Sequence, residues 1–210
     1  MRAKEIFDAL VVRFGDVVRD FSDASVTTGQ PDAAPAKGEV VRDAFCKVKA
    51  ASWVEVATFL RDDPTLAFDF LQNLTAVDWI KQDLMQTVYH FYSYTHRHSF
   101  VVKIDVPRAD SVIPSVVSLW PTANWLEREQ YDLLGVRYSG HPDLRRLLLP
   151  DDWVGHPMRK DYTEAAQYRG MPTNRYSPLD LLLAYDKEHP QKEGERPGAG
   201  GGTSAKESKE

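Results

Sequence analysis

The sequence predicts an α+β protein: a two-layer α/β N-terminal domain with a mixed sheet and a hairpin, then a long irregular C-terminal arm and a disordered tail. Two alternating runs of apolar and polar residues, 87–94 and 99–106, flank the polar residues 95–98, which is the pattern of a β-hairpin. Stretches with apolar residues at helical spacing surround these runs. From 139 to about 185 periodicity mostly fails and five prolines fix φ and remove backbone donors, which indicates an extended arm.

The elements before the hairpin are predicted from spacing and composition. Residues 3–14 place apolar side chains at helical spacing and predict an amphipathic helix. Residues 24–39 are rich in Pro, Gly and Ala without periodicity, which is typical of a flexible connector. Residues 40–48 alternate and predict a strand. Its apolar face carries Val40, Ala44, Cys46 and Val48.

Two further helices are predicted between this strand and the hairpin. Ser52 and Glu55 have the spacing of a capping box, in which each side chain binds the other residue's backbone amide. The helix that begins there is expected to reach Pro64. Apolar residues over 66–74 predict the next helix, which leads into residues 76–79.

A further helix is predicted to begin near Asn124, where a carboxylate, Glu127, again follows three residues later. It is expected to end at Gly135, because a left-handed residue is favoured at that position. On a helical wheel the core-facing arc contains Leu126, Gln130, Tyr131, Leu133 and Leu134. Glu127 falls inside this arc. The opposite, polar side of the wheel holds Trp125, Arg128, Glu129 and Asp132.

A carboxylate on the apolar arc and an indole on the polar side leave two explanations open. In the first, Glu127 is the capping-box partner of Asn124 and Trp125 lies under the arm. In the second, Trp125 anchors a docking surface, since large aromatic residues dominate protein interfaces. Glu127 then pairs with an arginine of the arm, because a buried carboxylate needs a partner. The candidate arginines are Arg145, Arg146 and Arg159.

Composition excludes several classes of function. The formal net charge is −5, which disfavours nucleic acid as a partner, because binding phosphates requires a basic surplus. The single cysteine, Cys46, provides too few thiolates for an iron–sulfur cluster or a thiolate zinc site, and fits a reduced, cytoplasmic setting. No apolar run approaches the roughly 20 residues of a membrane span. Contact with a membrane is therefore expected only through partners. No glycine-rich nucleotide-binding string occurs.

A repeated tripeptide marks the arm. Gly140-His141-Pro142 is followed by Arg145-Arg146, and Gly155-His156-Pro157 by Arg159-Lys160. A metal site is disfavoured because the histidines lack the usual ligand spacing. The following prolines suggest a conformational role instead. Phosphate or nucleic-acid binding is disfavoured because the charges of 139–162 sum to zero.

Catalysis and partner binding are the other two hypotheses for this tripeptide. Histidines near carboxylates suit acid–base chemistry, but no activated serine or cysteine motif accompanies them. The partner-bound hypothesis is favoured because the arm carries more apolar surface than water tolerates and its own domain is small. A second protein is thus the expected cover. The apolar residues concerned are Leu144, Leu147, Leu148, Leu149, Trp153 and Met158.

The stretch 124–136, NWLEREQYDLLGV, resembles the signature of the 30 kDa subunit family of proton-pumping NADH:quinone oxidoreductase, respiratory complex I. The resemblance covers roughly 40–165. It includes Val77-Asp78, Ile113-Pro114-Ser115, Gly140 to Arg146, Leu149-Pro150, Trp153, Gly155-His156-Pro157 and Arg159 to Tyr162. Three residues depart from the family pattern. They are Leu134 in place of an aromatic residue, His156 in place of tyrosine and Met158 in place of leucine.

The resemblance implies a non-catalytic subunit of the peripheral arm, on the cytoplasmic side of the bacterial inner membrane. It would dock on the neighbouring protein that resembles the hydrogenase large subunit and helps form the quinone site, and it would contact other peripheral-arm proteins. Electrons would pass from NADH through FMN and iron–sulfur clusters to quinone, all held by those other proteins. This chain is expected to bind no cofactor and no metal and to carry no catalytic residue.

Other assignments compete with this one. The first is the equivalent subunit of a related membrane-bound hydrogenase or of an F420H2- or ferredoxin-fed complex. The others are a free-standing hydrolase that uses His141 or His156, and an adaptor unrelated to respiration.

The predicted divisions and interface residues follow from the same patterns. The divisions are an N-terminal helix at 1–23, a linker at 24–39, the α/β domain at 40–138, the arm at 139–186 and a disordered tail at 187–210. The residues expected to form the family signature and partner interface are Trp125, Glu127, Arg128, Glu129, Tyr131, Asp132, Gly135, Gly140, His141, Pro142, Asp143, Leu144, Arg145, Arg146, Pro150, Trp153, Gly155, His156, Pro157, Arg159, Lys160, Asp161 and Tyr162.

Overall fold

The computed structural model describes residues 2–23, 43–173 and 187. The chain divides into two units, residues 1–163 and 164–210. The first unit carries the sheet and the helices described below. The predicted linker 24–39 lies outside the described residues, as does the predicted tail apart from Lys187.

A five-stranded sheet forms the centre of the first unit. Its strands are β1 Val18–Ser22, β2 Phe45–Val48, β3 Phe70–Trp79, β4 Leu84–Ser93 and β5 His98–Pro107, in the order β1-β2-β5-β4-β3. β2 runs parallel to β5 and the other neighbours are antiparallel, so the predicted mixed sheet is confirmed. The predicted hairpin is also confirmed, with Ser93 of β4 paired to His98 of β5.

Three helices accompany the sheet, and all three were predicted. They are α1 Ala3–Phe14, α2 Trp53–Asp62 and α3 Ala123–Leu134. Apolar side chains of α1 and α2 form one core with the inward-facing residues of the strands, because alternate strand residues point to the same face. That core includes Ile6, Leu10, Trp53, Val56, Leu60, Tyr89, Phe91, Val102 and Ile104. The predicted two-layer α+β architecture is thus confirmed.

Small strands complete the described elements. β6 Val112–Pro114 and β7 Arg137–Ser139 pair in parallel on either side of α3 in the sequence. In the second unit, β8 Gln167–Tyr168 and β9 Met171–Pro172 form a short antiparallel hairpin. None of the helices in the described part of the chain is both long enough and apolar enough to span a bilayer.

The helix predicted over 66–74 is wrong, because this segment leads into and begins β3. The pairing of β3 with β4 shifts register between Leu71 and Asn73, which is a β-bulge. The bulge leaves Gln72 and Asn73 both exposed between the buried Leu71 and Leu74. An apolar spacing of three residues, typical of a helix, therefore arises within a strand.

Both predicted capping boxes are wrong as well. A short 3-10 turn, Ala50–Ser52, leads directly into α2, and the Ser52 side chain makes no capping hydrogen bond. α3 begins at Ala123, one residue before the predicted cap Asn124, so that side chain lies inside the helix. The predicted end of α3 is confirmed, since Gly135 adopts the left-handed conformation with φ 77° and ψ 25°.

The strand predicted over 40–48 is shorter in the structure, because β2 begins at Phe45. Residues 40–42 lie outside the described part of the chain. The predicted apolar face is confirmed where the structure describes it, since Ala44, Cys46 and Val48 are buried.

A side-chain amide covers the edge of the sheet and fixes the position of α3. β3 is an edge strand, and edge strands expose backbone groups that need a cover. Gln130 of α3 accepts from the Ala76 amide at 3.0 Å and donates to the Leu74 carbonyl at 3.4 Å, as a neighbouring strand would. Farther along the same edge, the indole N–H of Trp120 donates to the carbonyl of Phe68 at 3.0 Å.

We expect Gln130→Met to destabilise the protein although methionine nearly preserves the side-chain volume. The substitution leaves the partly buried Ala76 amide and the Leu74 carbonyl without these partners. The expected loss in the free energy of unfolding is about 1–3 kcal/mol, measured by urea denaturation. Gln72→Met is the control, because Gln72 is exposed on the same strand. Equal losses in the two variants would contradict a role for the Gln130 amide.

Candidate functional site

The chain segment that follows α3, residues 139–162, folds back along the helix and contacts it from its first turn to its last. His141 binds the carbonyl of Asn124 in the first turn, at 3.2 Å from Nε2. Arg146 binds the carboxylate of Asp132 at 2.8 Å. His156 binds the Asp132 carbonyl at 2.9 Å from Nδ1. The 139–162 segment therefore covers the side of α3 that faces away from the sheet edge.

The carboxylate of Asp132 is the centre of this arrangement, and its side chain is fully buried. Its Oδ2 accepts three consecutive backbone amides, from Leu147 at 3.0 Å, Leu148 at 2.7 Å and Leu149 at 2.8 Å. Burial by itself raises the pKa of Asp132, but these amides and the Arg146 guanidinium outweigh it and lower the pKa. The charged form is thus the stable one.

Two arginines tie the backbone of the 139–162 segment to the helix. One terminal nitrogen of Arg146 donates a hydrogen bond to the carboxylate of Asp132. The other donates to the carbonyls of Trp153 at 2.9 Å and Gly155 at 3.1 Å. Arg128 is buried and donates to the carbonyls of Arg145 and Arg146, each at 3.3 Å. The fork of donors on each guanidinium lets one side chain hold two chain segments.

The second Gly-His-Pro copy caps the C-terminus of α3. The last carbonyls of a helix lack partners within the helix. Here Asp132, Leu133 and Leu134 present such carbonyls, and the second copy together with the two residues that follow it supplies a donor for each. The donors are His156 Nδ1 at 2.9 Å, the Met158 amide at 3.0 Å and Arg159 Nε at 2.7 Å, in that order. Because a carbonyl only accepts, the proton of His156 lies on Nδ1.

Two glycines allow this close packing. A Cβ on Gly135 would lie 2.6 Å from the His156 ring, and its φ of 77° also favours glycine. A Cβ on Gly155 would lie 2.9 Å from the ring of Tyr162, at a φ of 84°. The hydroxyl of Tyr162 in turn accepts from the Trp153 indole at 3.1 Å.

The first Gly-His-Pro copy holds the opposite end of the helix. His141 donates from Nε2 to the Asn124 carbonyl and accepts the Asp143 amide on Nδ1 at 3.0 Å. Its side chain is buried, and Nε2 lies 4.0 Å from an oxygen of Glu127. The two copies of the tripeptide therefore clamp the two ends of one helix. Since both rings bind backbone carbonyls, this geometry favours a structural role over the hydrolase hypothesis.

Glu127 is fully buried and is bound by the chain that precedes α3. Its oxygens accept from the Ser115 hydroxyl at 2.6 Å and from the Val116 amide at 2.9 Å. Burial raises the pKa of Glu127 to about 7, although both hydrogen bonds lower it. The prediction that Glu127 pairs with Arg145, Arg146 or Arg159 is wrong, as is its assignment to a capping box. These arginines bind Asp143, Asp132 and the Leu134 carbonyl respectively.

A second buried carboxylate anchors the end of the 139–162 segment. Asp78 of β3 accepts from Arg108 at 2.7 and 3.1 Å and from the Lys160 amide at 2.9 Å. The Arg108 guanidinium also pairs with Asp161. The hydrogen bond from Arg108 outweighs burial and lowers the pKa of Asp78. Arg108 thereby joins the sheet to residues 160–161.

The structure confirms the irregular path predicted for the arm, and it shows that the chain itself provides part of the cover for this segment. Residues 139–162 contain little regular structure, as predicted. Part of the cover comes from the chain itself, because α3 and β3 bind the segment through buried side chains, whereas Leu148 and Met158 stay exposed and their cover by a second protein stays a prediction. Arg128 and Asp132, which the helical wheel placed on the polar side of α3, are buried. A helix face that binds the backbone of another segment carries polar residues, as does a helix face exposed to water. The sequence pattern alone therefore does not distinguish the two.

The predicted interface residues differ widely in exposure. Buried are Glu127, Arg128 and Asp132. Partly buried are Glu129, Tyr131, Gly135, His141, Leu144, Arg146, Trp153, His156, Pro157, Arg159 and Tyr162. Exposed are Trp125, Gly140, Pro142, Asp143, Arg145, Pro150, Gly155, Lys160 and Asp161. In the described residues no group of three or more His, Cys, Asp or Glu side chains is placed to hold a metal ion.

Several residues of the site were not among the predicted ones. Ser115 and Asp78 lie in the short stretches that resembled the family, Ile113 to Ser115 and Val77-Asp78, so a signal for them existed. Arg108 follows the end of β5 and had no motif around it. Gln130 was placed on the core-facing arc, but its pairing with a strand edge depends on tertiary contacts.

Comparison with known proteins identifies related chains. Residues 46–168 match the family model for the 30 kDa subunit of respiratory-chain NADH dehydrogenase. An NADH-quinone oxidoreductase subunit of Roseiflexus sp. (strain RS-1) is 43% identical over 138 residues, which are 65% of this chain and 79% of that protein. The corresponding NADH-quinone oxidoreductase subunit of Geobacter metallireducens is 44% identical over 133 residues, 62% of this chain and 78% of that one.

A solved structure has a similar fold. A chain of the archaeal membrane-bound sulfane sulfur reductase, a respiratory membrane complex, superposes with a TM-score of 0.56. The similarity covers 93% of this chain and 96% of that chain at 19% sequence identity.

We expect Asp132→Asn to lower the free energy of unfolding by about 3–5 kcal/mol at pH 7, measured by urea denaturation. It leaves Arg146, which is partly buried, without its counter-ion and places an amide group against three backbone donors. Because the pKa of Asp132 is lowered by folding, its stabilisation is present above the unfolded value of about 3.9 and is lost as pH falls further. The difference from the wild type should therefore shrink below about pH 4.

Asp143→Asn is the matched control for this variant. Asp143 pairs with Arg145 in an exposed ion pair, so a change of no more than about 1 kcal/mol is expected. Comparable losses in the two variants would show that the buried pair has no special role in holding the segment.

Proposed function

Since the chain belongs to the family of 30 kDa subunits of respiratory-chain NADH dehydrogenase, we propose that it is a non-catalytic structural subunit of a proton-translocating NADH:quinone oxidoreductase. Its task would be to hold neighbouring subunits of the peripheral arm in position, so that electrons pass from NADH through iron–sulfur clusters to quinone. The observation that carries this proposal is a set of exposed apolar side chains on a framework that buried ion pairs hold rigid.

These side chains belong to α3 or to the 139–162 segment bound to it, and we call them the docking surface. They are Trp125, Leu148, Val154 and Met158, which are 61%, 61%, 82% and 59% exposed. The backbone beside each of the last three is fixed. The amides of Leu148 and Met158 bind α3, and Arg146 holds the carbonyls on both sides of Val154. The guanidinium of Arg128 lies 5.2 Å from the Trp125 ring centroid.

Apolar residues held on a fixed backbone suit a protein partner. Exposed apolar groups of this kind mark interaction sites in soluble proteins, and tryptophan is enriched among residues that dominate binding energy. A surface that is ordered before binding also avoids the entropy cost of ordering it during association. The partner we propose is the protein of the complex that resembles the hydrogenase large subunit, on the cytoplasmic side of the bacterial inner membrane. We call it the hydrogenase-like partner.

The proposal also assigns the cofactors to other subunits. Cys46 is the one cysteine of the chain, and burial raises its pKa to about 12. A thiol that stays protonated is a poor metal ligand, because thiolate is the form that binds metal. The FMN, the iron–sulfur clusters, NADH and quinone would accordingly bind elsewhere in the complex, with no catalytic residue contributed by this chain.

We expect Trp125→Ala to weaken binding to the hydrogenase-like partner by about 2 kcal/mol or more, which is roughly 30-fold in Kd. The melting temperature of the isolated chain should stay nearly unchanged, because the side chain is mostly exposed. Binding is measured with the purified partner. Activity is measured in the assembled complex, where NADH:quinone turnover should fall while NADH oxidation by a small soluble acceptor is kept.

Tyr94→Ala provides the control, since Tyr94 is 64% exposed but lies in the turn between β4 and β5. It should bind the partner like the wild type. A large drop in melting temperature with intact binding would show that Trp125 serves the fold. Equal weakening by both variants would show that the docking surface lies elsewhere.

A further inference from the structure

The interior beside the docking surface contains a carboxylate whose hydrogen bonds come from uncharged groups. Glu127 is fully buried, and its two oxygens accept from the Ser115 hydroxyl and the Val116 amide. A carboxylate in an apolar interior favours its neutral form unless a cation compensates its charge. The arginines of the 139–162 segment do not compensate this charge, because each binds another group. They are Arg145, Arg146 and Arg159.

The basic group that faces this carboxylate is His141. Its Nε2 lies 4.0 Å from Oε2 of Glu127, and both side chains are buried. The Nε2 proton is donated to the Asn124 carbonyl, while Nδ1 accepts the Asp143 amide. An imidazole that accepts on Nδ1 and donates from Nε2 is neutral, so His141 presents no positive charge to Glu127 in this arrangement. A second proton on His141 would break the hydrogen bond from the Asp143 amide.

Further polar groups surround the pair inside the core. Tyr89 of β4 and Tyr138 of β7 are buried close enough to Glu127 that its negative charge adds to burial in raising the pKa of both phenols. The Tyr89 hydroxyl is weakly paired with Trp53 Nε1 and the Tyr138 hydroxyl with Thr87 Oγ1, but none of these four buried polar atoms makes a hydrogen bond of normal geometry. Buried polar atoms of this kind are rare in native proteins and need an explanation. Uncharged donors near Glu127 would lower the cost of its ionisation.

We propose that Glu127 and His141 form a buried proton-binding site, and that its protonation sets how firmly residues 139–143 hold the first turn of α3. Trp125 of the docking surface lies in that same turn, so protonation would also affect docking. This link to docking rests on the proposed function. With the proton bound, the core is uncharged and the bond from Asp143 to His141 is intact. Loss of the proton to solvent leaves a charge in the core that the Ser115 hydroxyl and the Val116 amide stabilise only in part, which favours a shift of His141 or the entry of water.

The direction of the pH dependence follows from burial. Folding raises the pKa of Glu127 from an ordinary value of 4.5 to about 7. The stabilisation is therefore complete below about pH 4.5 and is lost as pH rises through about 7. This difference corresponds to a change of roughly 300-fold in the folding equilibrium constant. The site thus changes its protonation state near neutral pH.

The first test uses the isolated full chain. Urea unfolding between pH 5 and pH 8 should show a loss of stability that Glu127→Gln lacks, since glutamine keeps the shape and never ionises. Amide hydrogen exchange of Asp143 should accelerate above pH 7 in the wild type, beyond the intrinsic pH effect, and should not do so in the variant. Glu55→Gln, at an exposed position on α2, should retain the wild-type pH dependence.

A second variant tests whether His141 takes part in proton binding or whether Glu127 titrates without it. His141→Gln should move the pH of half-maximal stability loss upward, because the carboxylate loses the group that would share its proton. Parallel pH curves for the wild type and Glu127→Gln would overturn the proton-binding site. An unmoved midpoint in His141→Gln would overturn the role of the histidine.

Docking to the purified hydrogenase-like partner is measured separately, at pH 6.5 and pH 8. The wild type should bind more weakly at pH 8, and Glu127→Gln should bind equally at both. Equal binding of the wild type at both pH values would overturn the link to docking while leaving the isolated-chain result intact. Failure of Trp125→Ala to affect binding would instead count against the proposed function.

Discussion

The buried charge of Asp132 determines how the second half of the chain is arranged. A carboxylate in the interior has to be matched by donors, and here all of them come from residues 146–149. Three successive amides reach one oxygen only if the backbone bends around it, so satisfying the charge also fixes the path. Arg146 extends the effect to the carbonyls of Trp153 and Gly155. An irregular segment thereby obtains a defined conformation without regular secondary structure.

α3 connects this arrangement to the sheet. Through Gln130 it supplies the hydrogen bonds that the edge strand β3 would otherwise lack, and through Asp132 it fixes the segment on its other side. Its C-terminal carbonyls are bound by the second Gly-His-Pro copy and its first turn by the first copy. A helix of twelve residues is too short to be stable on its own, so these contacts on every side are what maintain it.

Local patterns predicted the elements that depend on local rules. Alternation identified the hairpin, helical spacing identified the three helices, and Gly135 marked the end of α3. The same reasoning wrongly predicted a helix over 66–74, because the bulge near Gln72 changes the apolar spacing of a strand to that of a helix. The partners of Glu127 and Asp132 could not be predicted from spacing, since both bind backbone N–H groups, which every residue except proline possesses. The resemblance to the family located the site, and only the tertiary contacts explained it.

The internal attachment of the 139–162 segment changes how substitutions in this region should be interpreted. The proposed docking surface is made of side chains whose neighbouring backbone is bound by Asp132, Arg146 and Arg128, of which Asp132 and Arg128 are buried and Arg146 is partly buried. Loss of one of these buried groups would release the backbone beneath Leu148 and Met158. Association would then have to order the segment as well as bury it, which costs affinity. On the proposed function, a defect in assembly can therefore arise from a residue that does not itself touch the neighbouring protein. Contact with a partner is then an incomplete criterion for identifying the residues of this segment that assembly requires.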